Sequence, residues 1–141
     1  MSLKRLLDEG KIEKIEISSR LIRNALSLAE RDIKAAKDNL NSQNYDWALS
    51  IAYNAMLQAS RALMFSQGYR PKSEGGHVSA IEFVKLKFEQ FKDEIPKLDR
   101  LRRKRHLVLY EQSEVVSEEE AKKAIDSAEK FVEKVKKCVK Q

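Results

Sequence analysis

Cysteine occurs once, at position 138, in a chain of 141 residues. A lone thiol excludes an intramolecular disulfide and any cluster of thiolate metal ligands, and no metal site or cofactor is expected. Glycine (4) and proline (2) are almost as scarce. These are the residues that turn a chain between short strands, so their shortage argues against a β-rich fold. No apolar run approaches the ~20 residues that cross a bilayer. The opening MSLKRLLDEG lacks the apolar core of a secretion signal. The expectation is a cytoplasmic protein with no membrane partner. Aromatic residues make up only 7%, whereas Ala, Leu, Lys and Glu are abundant. That is a helix-forming composition. A chain of this length buries one hydrophobic core.

Apolar spacing divides the chain into elements. A short amphipathic turn at 3–9 ends at Gly10, and the alternating KIEKIEIS at 11–18 reads as an extended connector with no partner strand elsewhere. Ser18 or Ser19 caps a helix of about 19–41, whose Leu21, Ala25, Leu28, Ala29, Ile33, Ala36 and Leu40 keep the 3.6-residue period. A second helix, about 45–67, is apolar nearly all round, which marks an element packed on more than one side. Asn54, Gln58 and Arg61 draw one polar stripe along it, either a hydrogen-bonded seam in the core or at a dimer contact, or the lining of a pocket. Helices of about 77–90 and 92–110 follow. The last, to about 139, opens on Ser117-Glu118-Glu119-Glu120, a capping-box spacing with acids at the positive helix end. No internal repeat or long linker divides the chain. The predicted fold is all-α: one domain over 1–141, a compact antiparallel bundle of about five helices, four long and one short. Residues 1–18 supply a short helix and connector, and 19–141 the bundle.

Charge is unevenly spread. The net charge is +6, and the segment 97–105 carries Lys97, Arg100, Arg102, Arg103, Lys104 and Arg105 against Asp99 alone. Such a local excess of positive charge suits a polyanionic partner, although a solvated basic face has the same composition. On a helical wheel Arg105 falls on the apolar stripe of Ile95, Leu98, Leu101 and Val108. A cation there must pair or reach a cleft, because a buried unpaired charge costs several kcal/mol. Arg102, His106 and Tyr110 recur along an adjacent face. Two guanidiniums, an imidazole and a phenol within two turns are groups that bind phosphate and move protons.

Arg105-His106-Leu107-Val108-Leu109-Tyr110 resembles the signature of HEPN domains (higher eukaryotes and prokaryotes nucleotide-binding): an arginine, a polar residue, three variable positions, then histidine or, in one prokaryotic branch, tyrosine. Arg100 and His106 also satisfy a looser arginine-to-histidine spacing, but the flanking stretches agree with the first alignment. Ala52-Tyr53-Asn54-Ala55-Met56 with Arg61-Ala62-Leu63 resembles the central helix of that branch. Gly68-Tyr69-Arg70-Pro71-Lys72-Ser73 followed by Gly76-His77 resembles its middle loop, and Val116-Ser117-Glu118-Glu119-Glu120-Ala121 the start of its last helix. The resemblance runs from about residue 20 to the end. It implies a homodimer in which both motifs face one cleft, with RNA or a nucleotide as ligand. In many members the cleft is a metal-independent endoribonuclease site, often in a toxin paired with a nucleotidyltransferase antitoxin. Carried over, Arg105, His106 and Tyr110 would be the catalytic candidates, Arg105 stabilising charge on phosphate and His106 positioning RNA or moving protons. Arg100, Arg102, Arg103, Lys104, Asn54, Gln58 and Arg61 would bind RNA or nucleotide. Tyr110 stands where the nuclease motif has histidine, and a phenol with an ordinary pKa near ~10 is a poor base at neutral pH. The alternative function is a non-catalytic helical adaptor that binds nucleotide or docks a nucleotidyltransferase.

Overall fold

The architecture is that of a computed structural model, which describes residues 2–72, 76–111 and 115–139. Its elements in chain order are α1 (Leu3–Asp8), β1 (Ile12–Lys14), α2 (Ser19–Asn41), α3 (Tyr45–Ser66), β2 (Tyr69–Pro71), α4 (His77–Lys87), a 3-10 turn (Glu89–Phe91), α5 (Ile95–Tyr110) and α6 (Glu118–Val139). The fold is all-α apart from two three-residue strands. Four helices of 16 to 23 residues and the shorter α4 make the bundle, with the six-residue α1 beside it.

The helix boundaries have local causes. Ser18 Oγ accepts a hydrogen bond from the Leu21 amide at 3.3 Å and caps α2. Gln43 at φ +64° ends the run that α2 begins and turns the chain back into α3. At the start of α6 the capping box closes in both directions. Ser117 Oγ accepts from the Glu120 amide at 3.1 Å, and Glu120 Oε1 accepts from the Ser117 amide at 3.2 Å. The helix expected over 77–90 stops at Lys87, because Phe88 leaves helical space (φ −132°, ψ 81°) and the chain turns so that Phe88 and Phe91 are both buried. Phe91 then meets Phe131 of α6 edge-on at 5.4 Å between centroids. The helix expected from 92 begins instead at Ile95, with Pro96 in its first turn. Proline lacks an amide donor and fits there without breaking a helical bond.

The connector at 11–18 differs from expectation more. Ile12, Glu13 and Lys14 pair antiparallel with Pro71, Arg70 and Tyr69. Three residues are too few for an alternating pattern to reveal a partner 57 positions away, so the pairing is a tertiary outcome. Arg70 and Glu13 form an ion pair across it at 2.5 Å. Gly68 (φ +81°) permits the turn out of α3, and an added Cβ there would meet the Ile15 carbonyl oxygen at 3.1 Å. The two-stranded ribbon therefore pins the exit of α3. Residue composition also predicts polar loops over 72–76 and 111–116, and their centres lie outside the described residues.

The core is built around α3, which packs on α2, α6, α4 and α5. Ala48, Ala52, Ala55, Ala59 and Ala62 are all fully buried, and so are Ala29 and Ala36 of α2 and Ala121 and Ala128 of α6. Small side chains let these helices approach closely while Leu, Met and Phe fill the spaces between. α5 is the exception among the long helices: only Ile95 and Leu98 are buried on it.

Candidate functional site: an arginine cluster around Tyr53 and His77

α5 turns its cations in different directions. Lys97, Arg100 and Lys104 line an open cleft of about 720 Å³ between α5 and α6, with Leu49 and Leu101 among its apolar residues and Lys122 and Lys123 opposite. Acids share that cleft, and Lys104 pairs with Glu120 at 3.4 Å. Arg103 points outward, its side chain 65% exposed, and meets Asp99 at 2.9 Å. Arg102 also binds Asp99, at 3.0 Å, but is only 30% exposed. Arg105 is half-buried and makes no ion pair with a carboxylate among the described residues. Its guanidinium carbon lies instead over the ring of Tyr53, 5.7 Å from the centroid. That is cation–π range, and the contact holds the arginine while leaving its donors free for another acceptor.

Tyr53 is fully buried in the middle of α3. Its hydroxyl lies 2.9 Å from Nδ1 of His77, the first residue of α4, and the two rings are nearly parallel, 19° apart. Burial pushes the Tyr53 phenol up to about 12, against the opposing pull of Arg105, Arg102 and Arg61. It is a neutral hydroxyl at any physiological pH. His77 moves the other way. Loss of solvent, and then the positive charges of Arg105, Arg61 and Arg102, hold its pKa below the ordinary histidine value of 6.5. The imidazole is therefore neutral at pH 7. Arg61 is half-buried on α3, and that burial lowers its own pKa in turn. Three guanidiniums from two helices thus surround a neutral phenol and a neutral imidazole. Among the described residues Asp99 is the carboxylate whose charge reaches Tyr53. The result is a concentrated positive potential in partly desolvated surroundings, where it acts more strongly than in water.

The residues singled out from the sequence fall into separate places. Arg61, Arg102 and Arg105 meet in the cluster. Gln58 Oε1 accepts a hydrogen bond from Arg61 at 3.4 Å and borders it. Asn54 turns to α2 and donates to the buried Asp32 at 3.0 Å, so this part of the polar stripe is a seam between helices. Arg100 and Lys104 belong to the α5–α6 cleft, and Arg103 to the outer surface. His106 and Tyr110 form an exposed pair, centroids 4.9 Å apart, with Tyr110 68% exposed. Two members of the cluster, Tyr53 and His77, were not singled out as site residues. The available signal was a tyrosine among alanines on the most apolar helix, and one of only two histidines at a helix start. Their meeting across 24 positions follows from the packing of α4 on α3. Among the described residues no group of three or more His, Cys, Asp or Glu comes together as a metal site.

Fold and site together define a small helical-bundle domain with an arginine-rich cluster. The family model for the HEPN domain matches residues 18–138, nearly the whole bundle. The chain belongs to the HEPN family. Comparison with curated proteins finds no match. No helix among the described residues is long and apolar enough to cross a membrane.

Proposed function

We propose that the chain binds RNA through its phosphates at the Arg61, Arg102 and Arg105 cluster and cleaves it as a metal-independent endoribonuclease. The observation that carries this reading is Arg105, half-buried on the Tyr53 ring with no carboxylate partner among the described residues. A guanidinium held that way is pre-positioned to give two parallel hydrogen bonds to a phosphate. In the reaction the ribose 2′-hydroxyl attacks the neighbouring phosphate, and Arg105 stabilises the charge that grows on its oxygens. α5 also offers a seam for a second copy. Leu101, Leu107, Val108 and Leu109 are only half-buried along it, so a symmetric homodimer would cover them and bring two clusters to one cleft.

In the cell such an activity suits a toxin held in check by a partner nucleotidyltransferase. The exposed Tyr110 favours a second reading, a non-catalytic domain that docks that nucleotidyltransferase and receives AMP on its phenol. Incubating a labelled single-stranded RNA with the purified protein in EDTA separates the two. Cleavage by the wild-type chain and none by Arg105→Ala supports the nuclease. Binding without cleavage, with transfer of AMP to Tyr110 by the nucleotidyltransferase, supports the docking domain. Binding to single strands should weaken with salt at a log–log slope of about −0.7 per phosphate contacted, or roughly −2 for three arginine contacts.

A further inference from the structure

We propose that His77, at the start of α4, is the group that takes the proton from the attacking ribose hydroxyl, in the place that a motif histidine would fill and Tyr110 does not. This rests on the nuclease reading above and assigns its missing base. His77 and Arg105 both contact Tyr53, the first at its hydroxyl and the second at its ring face. A phosphate held by Arg105 and a ribose set against His77 would therefore be separated by about one phenol, the reach of a single nucleotide. His106 has a different setting. It lies on the exposed side of α5 against Tyr110, in a solvated place with no described contact to the cluster.

The groups that face His77 make it a suitable base. From α3 they are Tyr53 and Arg61, and from α5 Arg102 and Arg105. Among the described residues the charges acting on His77 are positive, with Arg102 itself paired to Asp99, so they oppose protonation of the free imidazole and favour the neutral form that can accept a proton. The hydrogen bond to Tyr53 forms with either ring tautomer, because the hydroxyl both donates and accepts, and the base role uses the tautomer protonated at Nδ1. When Nδ1–H donates to the Tyr53 hydroxyl oxygen, the lone pair of Nε2 is left for substrate. Tyr53 is then a positioning residue. The 2′-oxygen gives its proton to Nε2 and forms a bond to phosphorus, the P–O5′ bond breaks, and the 5′-oxygen leaves with that electron pair. It takes a proton from water, His77 later returns its own to solvent, and the products are a 2′,3′-cyclic phosphate and a 5′-hydroxyl. The charge that develops on His77 is offset by the pentavalent phosphate beside it.

The test uses the full chain, a fluorescein-labelled single-stranded RNA for cleavage, and its 2′-O-methyl counterpart, which cannot react, for binding. His77→Gln should bind the methylated RNA within about twofold of wild type but cleave RNA at least about a hundredfold more slowly. The wild-type rate should rise through the acid range as His77 loses its proton and then level off, and the residual rate of His77→Gln should lack that rise. Tyr53→Phe keeps the ring under Arg105 and loses only the hydroxyl. It should bind normally and cleave about tenfold more slowly, with the pH profile displaced. It serves as the second variant should His77→Gln unfold. Wild-type cleavage by His77→Gln, or loss of cleavage in His106→Gln alone, overturns the assignment. A wild-type chain that binds both RNAs and cleaves neither overturns it too, while leaving RNA binding intact. Failure to bind either RNA removes the nuclease reading and this inference together.

Discussion

The two sides of α5 carry similar residues in different surroundings. On the inner side Leu98, Arg102 and Arg105 follow one another at helical spacing against α3 and α4, and the arginines are partly desolvated around Tyr53 and His77. On the outer side Arg103, His106 and Tyr110 stand in water. The cations of the α5–α6 cleft lie between these extremes and face acids on α6. Counting charges gives both sides equal weight; burial does not. A guanidinium in a low-dielectric niche interacts several times more strongly with an anion than the same group in solvent, and it perturbs its neighbours in proportion. Burial raises the Tyr53 pKa against the pull of these arginines, and burial first and the arginines second lower that of His77.

The comparison breaks most completely if α5 is loosened. Leu98 is fully buried and is the apolar anchor next to the two inner arginines. Leu98→Ala should cost about 2–5 kcal/mol in urea unfolding, by lost transfer energy and the cavity left behind. It should also weaken RNA binding, because α5 has little other burial to hold its register. Normal binding by this variant would mean that the inner side of α5 is not the footprint.

A more direct comparison truncates one arginine from each side. Arg105→Ala should reduce affinity for single-stranded RNA roughly ten- to a hundredfold, the equivalent of about 1.5–3 kcal/mol for charge-assisted hydrogen bonds. Arg103→Ala should change it by less than about threefold, since an exposed cation adds little beyond screened attraction. Anisotropy titrations at one fixed ionic strength measure both. Equal losses would show that net charge alone governs binding.

Stability against pH tests the inner side without any ligand. The folded state holds the His77 pKa below the ordinary 6.5, so the unfolded chain binds the proton more readily. Folding stability therefore rises with pH across this range. The His77 contribution is complete above the unfolded value and is lost as pH falls through the folded one. Thermal melts between pH 5 and 8 should show a steeper acid-side decline for wild type than for His77→Gln.

The smallest effect is expected at the far end of the helix. Tyr110→Phe should alter stability by less than about 0.5 kcal/mol, because the side chain is 68% exposed. A larger loss by the same urea titration would mean that Tyr110 is buried in the working form of the protein, as a homodimer seam would make it.

Much of the bundle could be read from residue spacing. Ser18, the Ser117-to-Glu120 box and the nearly all-apolar face of α3 each act within one or two turns, so local pattern and local energy agree. The family resemblance was legible for the same reason, through short stretches in the right order. Arg105 stood out because a cation on an apolar stripe needs an explanation, and the structure supplies one in Tyr53. What sequence could not determine was which side of α5 faces inward at each arginine, that Ile12–Lys14 finds a partner in Tyr69–Pro71, and that His77 arrives at the Tyr53 hydroxyl. These depend on contacts between residues 24 to 59 positions apart. Such contacts form only when close-packed alanines fix how α4 and α5 lie on α3, and the burial that shifts the Tyr53 and His77 pKa values exists only once that packing is complete.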